Sequence, residues 1–177
     1  MVTLNKIEAK LLSLFHKKLQ MKITVGQPAP DFSLYDSDKN KVTLSELRGQ
    51  NILLLFFPAA FSGTCTAELC SLRDNISAYN HVNAKVFAIS VDMLYTLAKF
   101  KEDQRLNFSL LSDFNKDAST AYDCLYDTFS YGMKGVSKRS AFVIDKAGII
   151  LYAEVLEKAG DLPNFQIIQQ TLELLNN

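Results

Sequence analysis

The stretch Asn51-Ile-Leu-Leu-Leu-Phe-Phe-Pro58 is a nearly continuous apolar segment that ends in a proline. A near-continuous apolar run of this length is typical of a strand that is covered on both faces. Pro58 ends the strand, because proline has no backbone N–H to donate to a neighbouring strand. Apolar residues at helical spacing then predict a helix over about 62–79. This strand, loop and helix indicate the α/β class.

Strands and helices alternate on both sides of this unit. The other predicted strands are a hairpin at 31–44 and segments at 86–91, 110–113, 141–145 and 149–152. The other predicted helices are 94–104, 117–122 and 162–175. The order β-α-β-α-β-β-α predicts an α/β layered fold with a central mixed sheet flanked by helices.

Length and composition describe one soluble globular domain and exclude several other classes. Of 177 residues, 48% are hydrophobic and 21% charged, which excludes a disordered chain. Lys+Arg and Asp+Glu number 19 each, so no global positive field attracts nucleic acid. No apolar run approaches the roughly 18 residues that a membrane span requires. Three cysteines are too few for a disulfide-rich secreted scaffold, so we expect a reducing cytoplasm as the compartment.

Residues 1–21 differ in character from the rest of the chain. Five lysines up to Lys22 oppose a single acid, and one apolar stripe recurs at helical spacing: Leu4, Ile7, Leu11, Leu14 and Phe15. A secretory signal would need a continuous apolar stretch and a small-residue cleavage site, and residues 1–21 contain neither. We expect an amphipathic N-terminal helical extension that docks on the body or on a partner subunit, followed by one domain at 22–177. A membrane-surface helix, a poorly ordered extension and translation starting at Met21 are the alternatives.

Cys65 is expected where the loop after the buried strand enters the predicted helix. Ligands and catalytic groups collect at this edge of α/β sheets. Free backbone N–H groups and the positive end of the helix dipole favour a thiolate there, which is the reactive form of cysteine. The alternative is a cysteine that is buried simply as a small apolar side chain.

Three separate blocks of this sequence resemble the peroxiredoxins. Pro58-x-x-x-Ser62-x-x-Cys65 is similar to their active-site pattern of proline, three residues, threonine or serine, two residues and cysteine. The flanking residues resemble the alkyl-hydroperoxide-reductase E branch, whereas a second cysteine, Cys70, resembles the Q-type (bacterioferritin-comigratory) branch. Blocks at 26–34 and 139–148 agree in order and spacing. The resemblance therefore runs from about residue 22 to the end.

The resemblance implies a thioredoxin-like fold and a thiol-dependent peroxidase that reduces hydrogen peroxide and organic hydroperoxides. Cys65 would attack a peroxide oxygen and become a sulfenic acid. The Ser62 hydroxyl would donate to the peroxide and hold the sulfur in register. Arg139 would stabilise the thiolate and the developing oxyanion, and Pro58 would wall the pocket. Without the neighbouring motif, Ser62 would be interpreted as a helix cap and Arg139 as a surface ion-pair residue.

The second cysteine, Cys70, decides the subclass. On one α-helix, five residues rise about 7.5 Å and turn about 140°, which separates the two Cα atoms by about 8.6 Å. This exceeds the ~7 Å limit for a disulfide, so a Cys65–Cys70 bond needs local unwinding, which the Q-type resemblance implies. We expect Cys70 to resolve the sulfenic acid as an intramolecular disulfide; a buried structural cysteine is the alternative. We expect Cys124 to be buried and unreactive, with a second resolving role or an intersubunit bridge as alternatives.

Other residues near the motif have more than one interpretation. Glu68 could compensate the helix dipole or form a capping box with Ser62 or Cys65, and the resemblance implies a polar residue here that orients the arginine. Arg73 and Asp74 are interpreted as an ion pair on the side of the helix. Three aromatic residues expected near the site would accommodate alkyl peroxides: Phe57, Phe61 and Phe142.

No metal or other cofactor is expected. Cys-x₄-Cys lacks a second ligand pair, and His16 and His81 have no supporting spacing. The expected partners are a peroxide, thioredoxin or a similar thiol reductant, and at most one further copy of the chain, as a monomer or homodimer. The alternatives are a one-cysteine peroxidase recycled by an external thiol, and a redox sensor or holdase without turnover. A thioredoxin-type disulfide exchanger would need Cys-x-x-Cys, which this chain lacks.

Overall fold

The computed structural model describes residues 23–175, so the predicted N-terminal extension at 1–21 lies outside the described residues. In this part of the chain, five α-helices pack on one seven-stranded sheet. The strands are β1 (Ser33–Asp36), β2 (Lys41–Thr43), β3 (Asn51–Phe56), β4 (Ala84–Ser90), β5 (Ser109–Ser112), β6 (Ser140–Ile144) and β7 (Ile150–Val155). The α-helices are α1 (Gly63–Asp74), α2 (Ile76–His81), α3 (Leu94–Asp103), α4 (Asp117–Ala121) and α5 (Phe165–Leu174). Two short 3₁₀ helices span Leu44–Leu47 and Ser130–Gly132.

The sheet is mixed, as predicted, with the strand order β2-β1-β5-β4-β3-β6-β7. Strands β3, β4 and β5 are parallel to one another, and the outer strands on both sides pair antiparallel. All six residues of β3 are buried, which explains its continuous apolar run. The α/β class and the central sheet flanked by helices are confirmed.

The two faces of β3 belong to two separate cores, because successive side chains of a strand point to opposite faces. Leu53 and Leu55 pack with α1, α2, α3 and α5 on one face. Leu54 and Phe56 pack on the other face with the N-terminal hairpin, α4 and the aromatic residue Tyr122. The site described below lies at the end of this doubly covered strand.

Two predicted helices have different bounds in the structure. The helix expected over 62–79 is broken at Asn75, whose side-chain amide donates to the carbonyl of Ser71 at 2.8 Å. Such side-chain bonds compete with the helical backbone, which an asparagine in mid-helix can interrupt. The last helix begins at Phe165 because Pro163 disfavours helical backbone before it and Asn164 caps it, accepting from the Ile167 N–H at 3.1 Å.

The carboxyl ends of β3, β4 and β5 meet at one edge of the sheet, and their loops are bonded to each other. The Asp92 carboxylate, just after β4, accepts from the Ala60 N–H and the Ser90 hydroxyl, both at 2.8 Å. The Ser112 hydroxyl at the end of β5 donates to the Asp92 carbonyl at 2.7 Å. These bonds fix the loop between β3 and α1 in position.

Candidate active site

Cys65 lies where it was predicted, in the first turn of α1 directly after the loop from β3. Its side chain is buried, with 1% of the residue exposed, in the core that also contains Phe57 and Leu69. All three cysteines of the chain are free thiols. The positive end of the α1 dipole therefore lies beside Cys65.

Arg139 reaches Cys65 from the neighbouring strand. Ser140, the first residue of β6, pairs with Phe56, the last residue of β3, so Arg139 is placed at the same edge of the sheet as the start of α1. Its Nη2 lies 3.4 Å from Cys65 Sγ and also donates to the Ala159 carbonyl at 3.0 Å. Only 1% of Arg139 is exposed, so its charge acts on the sulfur with little screening by solvent.

Glu68 is the second partner of Arg139, and it was not among the predicted catalytic residues. Arg139 Nη1 donates to Glu68 Oε2 in an ion pair of which both side chains are 1% exposed. Glu68 follows Cys65 by three residues and therefore lies on the same face of α1. The structure brings Glu68 to the arginine, as the family resemblance implies, and not into a capping box. Its i+3 spacing from Cys65 is the signal that could have identified it.

Burial raises the pKa of Glu68 to about 7, because the loss of hydration outweighs the attraction and hydrogen bond of Arg139. Below this pH the carboxyl keeps its proton and does not neutralise the guanidinium. The positive charge of Arg139 is then directed at the Cys65 sulfur.

Pro58 and Ser62 lie on the loop that leads into α1. Pro58 is buried, which is compatible with the expectation that it forms a wall of the site. Ser62 occupies the N-cap position of α1, but its hydroxyl donates to the Ala59 carbonyl at 3.0 Å and makes no capping bond. The hydroxyl proton is thus directed into the loop, while the oxygen keeps lone pairs that can accept a hydrogen bond.

Cys70 lies on α1 together with Cys65, as the spacing argument assumed. Cys70 is half-buried, and its sulfur contacts the side chains of Arg73 and Gln104 rather than Arg139. An intact helix keeps the two cysteine Cα atoms about 8.6 Å apart, beyond disulfide range. The site therefore comprises Cys65, Arg139 and Glu68, with Cys70 in a separate environment.

Cys124 is fully buried in the core on the other face of the sheet, and its thiol donates to the Ser119 carbonyl at 3.5 Å. Burial raises the pKa of Cys124 well above its usual range, which disfavours the reactive thiolate. Phe142 lies in the same core, so the prediction that it lies near the site was wrong. Phe57, by contrast, lies in the core that contains Cys65. Side-chain alternation along β6 turns Phe142 away from the face that holds Cys65.

Neither a metal centre nor a membrane span is found between residues 23 and 175. No group of three or more His, Cys, Asp or Glu side chains in this range could hold a metal ion. No helix in the same range is long and apolar enough to cross a membrane.

The chain is similar to known proteins over most of its length. Residues 25–153 match the AhpC/TSA family. Alkyl hydroperoxide reductase E of Mycobacterium tuberculosis is 38% identical over 134 residues, covering 75% of this chain and 86% of the relative. Peroxidoxin BcpB of the same organism has a similar structure, with a TM-score of 0.76, 29% identity and coverage of 86% and 98%. Peroxiredoxin Q of Xanthomonas campestris shares the fold, with a TM-score of 0.73, 21% identity and coverage of 82% and 92%.

The raised pKa of Glu68 predicts a specific pH dependence of stability. Between about pH 4.5 and 7, folded Glu68 keeps a proton that the unfolded chain releases. The stabilisation from this proton is therefore complete below pH 4.5 and is lost as the pH rises through 7. We expect the free energy of unfolding of the wild type to fall across this window relative to Glu68→Gln, as measured by urea denaturation at several pH values.

A matched substitution, Glu46→Gln, removes an exposed carboxyl and should leave this pH dependence unchanged. A wild type that instead gains stability over Glu68→Gln as the pH rises would show that Arg139 keeps Glu68 ionised.

Proposed function

The chain belongs to the AhpC/TSA family, and from that premise we propose that it reduces peroxides through Cys65 and resolves the product through Cys70. It is a peroxiredoxin, a thiol-dependent peroxidase with a thioredoxin-like fold. One observation supports Cys65 as the reacting residue: Arg139 Nη2 lies 3.4 Å from its sulfur, at the start of α1. A buried cation and a helix dipole both favour the thiolate.

In the first step, the Cys65 thiolate attacks one oxygen of the peroxide. A sulfur–oxygen bond forms, the O–O bond breaks, and the other oxygen leaves as hydroxide or alkoxide and takes up a proton. Cys65 is thereby oxidised to a sulfenic acid, and the peroxide is reduced to water or an alcohol. Arg139 stabilises the charge that develops on the oxygens, since its donors are held in place before the reaction.

Ser62 and Pro58 shape the position of the substrate in this proposal. Because the Ser62 proton is donated to Ala59, its oxygen is available to accept from the O–H of a hydroperoxide. This is a departure from the donor role that the sequence suggests. Pro58, which is buried and has no N–H, encloses the sulfur and protects the sulfenic acid from a second oxidation.

In the second step, Cys70 attacks the sulfenic acid of Cys65, which requires the first turns of α1 to unwind. The product is an intramolecular disulfide, which is the natural substrate of thioredoxin or a similar thiol reductant.

We further propose a cytoplasmic monomer or homodimer that accepts hydrogen peroxide and organic hydroperoxides. The second candidate is a one-cysteine peroxidase recycled by an external thiol, which the separation of the two cysteines on an intact α1 favours.

Cys65→Ser should abolish peroxide consumption, because serine has no thiolate to attack the peroxide. Cys124→Ser is the matched control and should consume peroxide at the wild-type rate, since Cys124 lies in the other core. Peroxide loss with a dithiol as reductant measures both variants. Turnover by Cys65→Ser at a rate near that of the wild type would remove Cys65 from the reaction.

Arg139→Ala should slow peroxide reduction by about 100-fold or more, the usual effect of losing one oriented donor to a developing oxyanion. Arg139→Lys should restore little activity, because a point charge lacks the fork that reaches both Glu68 and Cys65. Stopped-flow kinetics of the peroxide step provide the measurement, with Arg105→Ala as an exposed control. Wild-type rates in both Arg139 variants would refute its catalytic role.

Cys70→Ser should still reduce the first equivalent of peroxide but should then retain a Cys65 sulfenic acid. That species should over-oxidise at high peroxide or depend on an external thiol such as glutathione. Non-reducing peptide mapping of the oxidised wild type should identify a Cys65–Cys70 bond. A bond to Cys124 or to a second chain would contradict the assignment of Cys70, and the absence of any disulfide would establish the one-cysteine mechanism.

A further inference from the structure

The two cysteines on α1 contact two different arginines. Cys65 contacts Arg139, whereas the Cys70 sulfur lies 3.7 Å from Nη1 of Arg73 and 3.6 Å from Oε1 of Gln104. Arg73 is three residues after Cys70 and so lies on the same face of the helix. The second guanidinium plays no part in the peroxide step described above.

Arg73 is held on several sides. Its Nε donates to Asp74 Oδ1 at 2.8 Å and its Nη1 to the Gln104 carbonyl at 2.6 Å. The Asn107 side chain donates to the Arg73 carbonyl at 3.3 Å. The side chain is 26% exposed, so the guanidinium is partly withdrawn from water. Arg73 thus binds the last turn of α1 to the loop after α3 and holds a cation beside the Cys70 sulfur.

We propose that Arg73 is a positioning residue for the resolving step: its guanidinium favours the Cys70 thiolate and fixes it on the anchored end of α1. This inference rests on the proposed role of Cys70. It gives a function to an arginine that the sequence alone presents only as half of an ion pair with Asp74. The ion pair exists, but it accounts for one nitrogen of the guanidinium.

The resolving step needs no reactant besides the two cysteines. The Cys70 thiolate attacks the sulfur of the Cys65 sulfenic acid, a sulfur–sulfur bond forms, and the sulfur–oxygen bond breaks. The departing hydroxide and the proton released by the Cys70 thiol combine as water. Cys70 is oxidised and the sulfenic sulfur is reduced, so electrons balance within the pair.

The anchored end of α1 also determines which part of the helix must move. The hydrogen bonds at Arg73 keep the Cys70 end attached to the loop at 104–107, whereas Cys65 lies in the first turn. Unwinding of the first turns can then bring the oxidised Cys65 to a thiolate that stays in place. A thiolate held beside a cation is available during the short time for which the helix is open.

The test measures the two steps separately by rapid mixing with hydrogen peroxide. Alkylation and intact mass at each time point distinguish thiol, sulfenic acid and disulfide. Arg73→Gln should lower the ratio of the resolving rate to the peroxide rate at least about threefold at pH 7. The loss is expected because Arg73→Gln removes the positive charge and the donor that lie 3.7 Å from the Cys70 sulfur.

The pH profile distinguishes this role from a purely structural one. The deficit of Arg73→Gln should shrink as the pH rises above about 8.5, where a free thiol ionises without help. Arg73→Lys should recover part of the rate because it retains the charge. Arg105→Gln, which removes an exposed arginine from the adjacent loop, should match the wild type in both steps.

Two results would overturn the proposal while leaving the proposed function in place. One is a resolving rate of Arg73→Gln equal to that of the wild type at pH 7. The other is a deficit of the same size at every pH from 6 to 9, which a loosened helix would produce. A wild type that forms no Cys65–Cys70 disulfide would refute the role of Cys70 itself, and the inference about Arg73 with it.

Discussion

The buried guanidinium of Arg139 imposes the strongest constraint on this molecule. A charge that is 1% exposed is costly unless other groups replace the water it has lost. Its partners come from separate parts of the chain: Cys65 and Glu68 from α1, and the Ala159 carbonyl from the loop after β7. The packing of α1 and of that loop against the end of β6 must therefore be maintained for the charge to be tolerated.

The sheet meets this constraint by bringing several strand ends to one edge. Strands β3 and β6 are antiparallel neighbours, so the start of β6 lies beside the end of β3, from which the chain continues into α1. Asp92 bonds the β3–α1 loop to the ends of β4 and β5. The raised pKa of Glu68, to about 7, leaves the net charge of the arginine pair dependent on pH near neutrality. The bonded loops hold the Cys65 sulfur in place, and the pH-dependent charge of the Arg139–Glu68 pair lies beside it.

Patterns of neighbouring residues predict the position of β3 and of Cys65. Contacts between residues far apart in the chain were harder to predict. The apolar run of β3 and the proline after it place Cys65 correctly, because both effects depend on adjacent residues. The Arg139–Glu68 contact joins residues 71 apart in the chain, so the i+3 spacing of Glu68 from Cys65 indicates its face of α1 but not its partner. Phe142 was expected near the site but lies in the other core, because one residue of register moves a side chain to the opposite face of a sheet. The break at Asn75 follows from a single side-chain bond within an otherwise helical pattern.

The proposed reaction requires α1 first to hold Cys65 in place and then to unwind near its start. The two ends of the helix differ in how firmly they are held. The intact first turn holds Cys65 against Arg139, but it begins with Gly63 and its N-cap Ser62 makes no side-chain capping bond. Glycine and an unused cap both weaken the start of a helix. The later turns bury Leu69 and Leu72 in the core and are bonded to the loop after α3 through Arg73. The weaker end of α1 is consequently the end that the proposed disulfide between Cys65 and Cys70 would require to unwind.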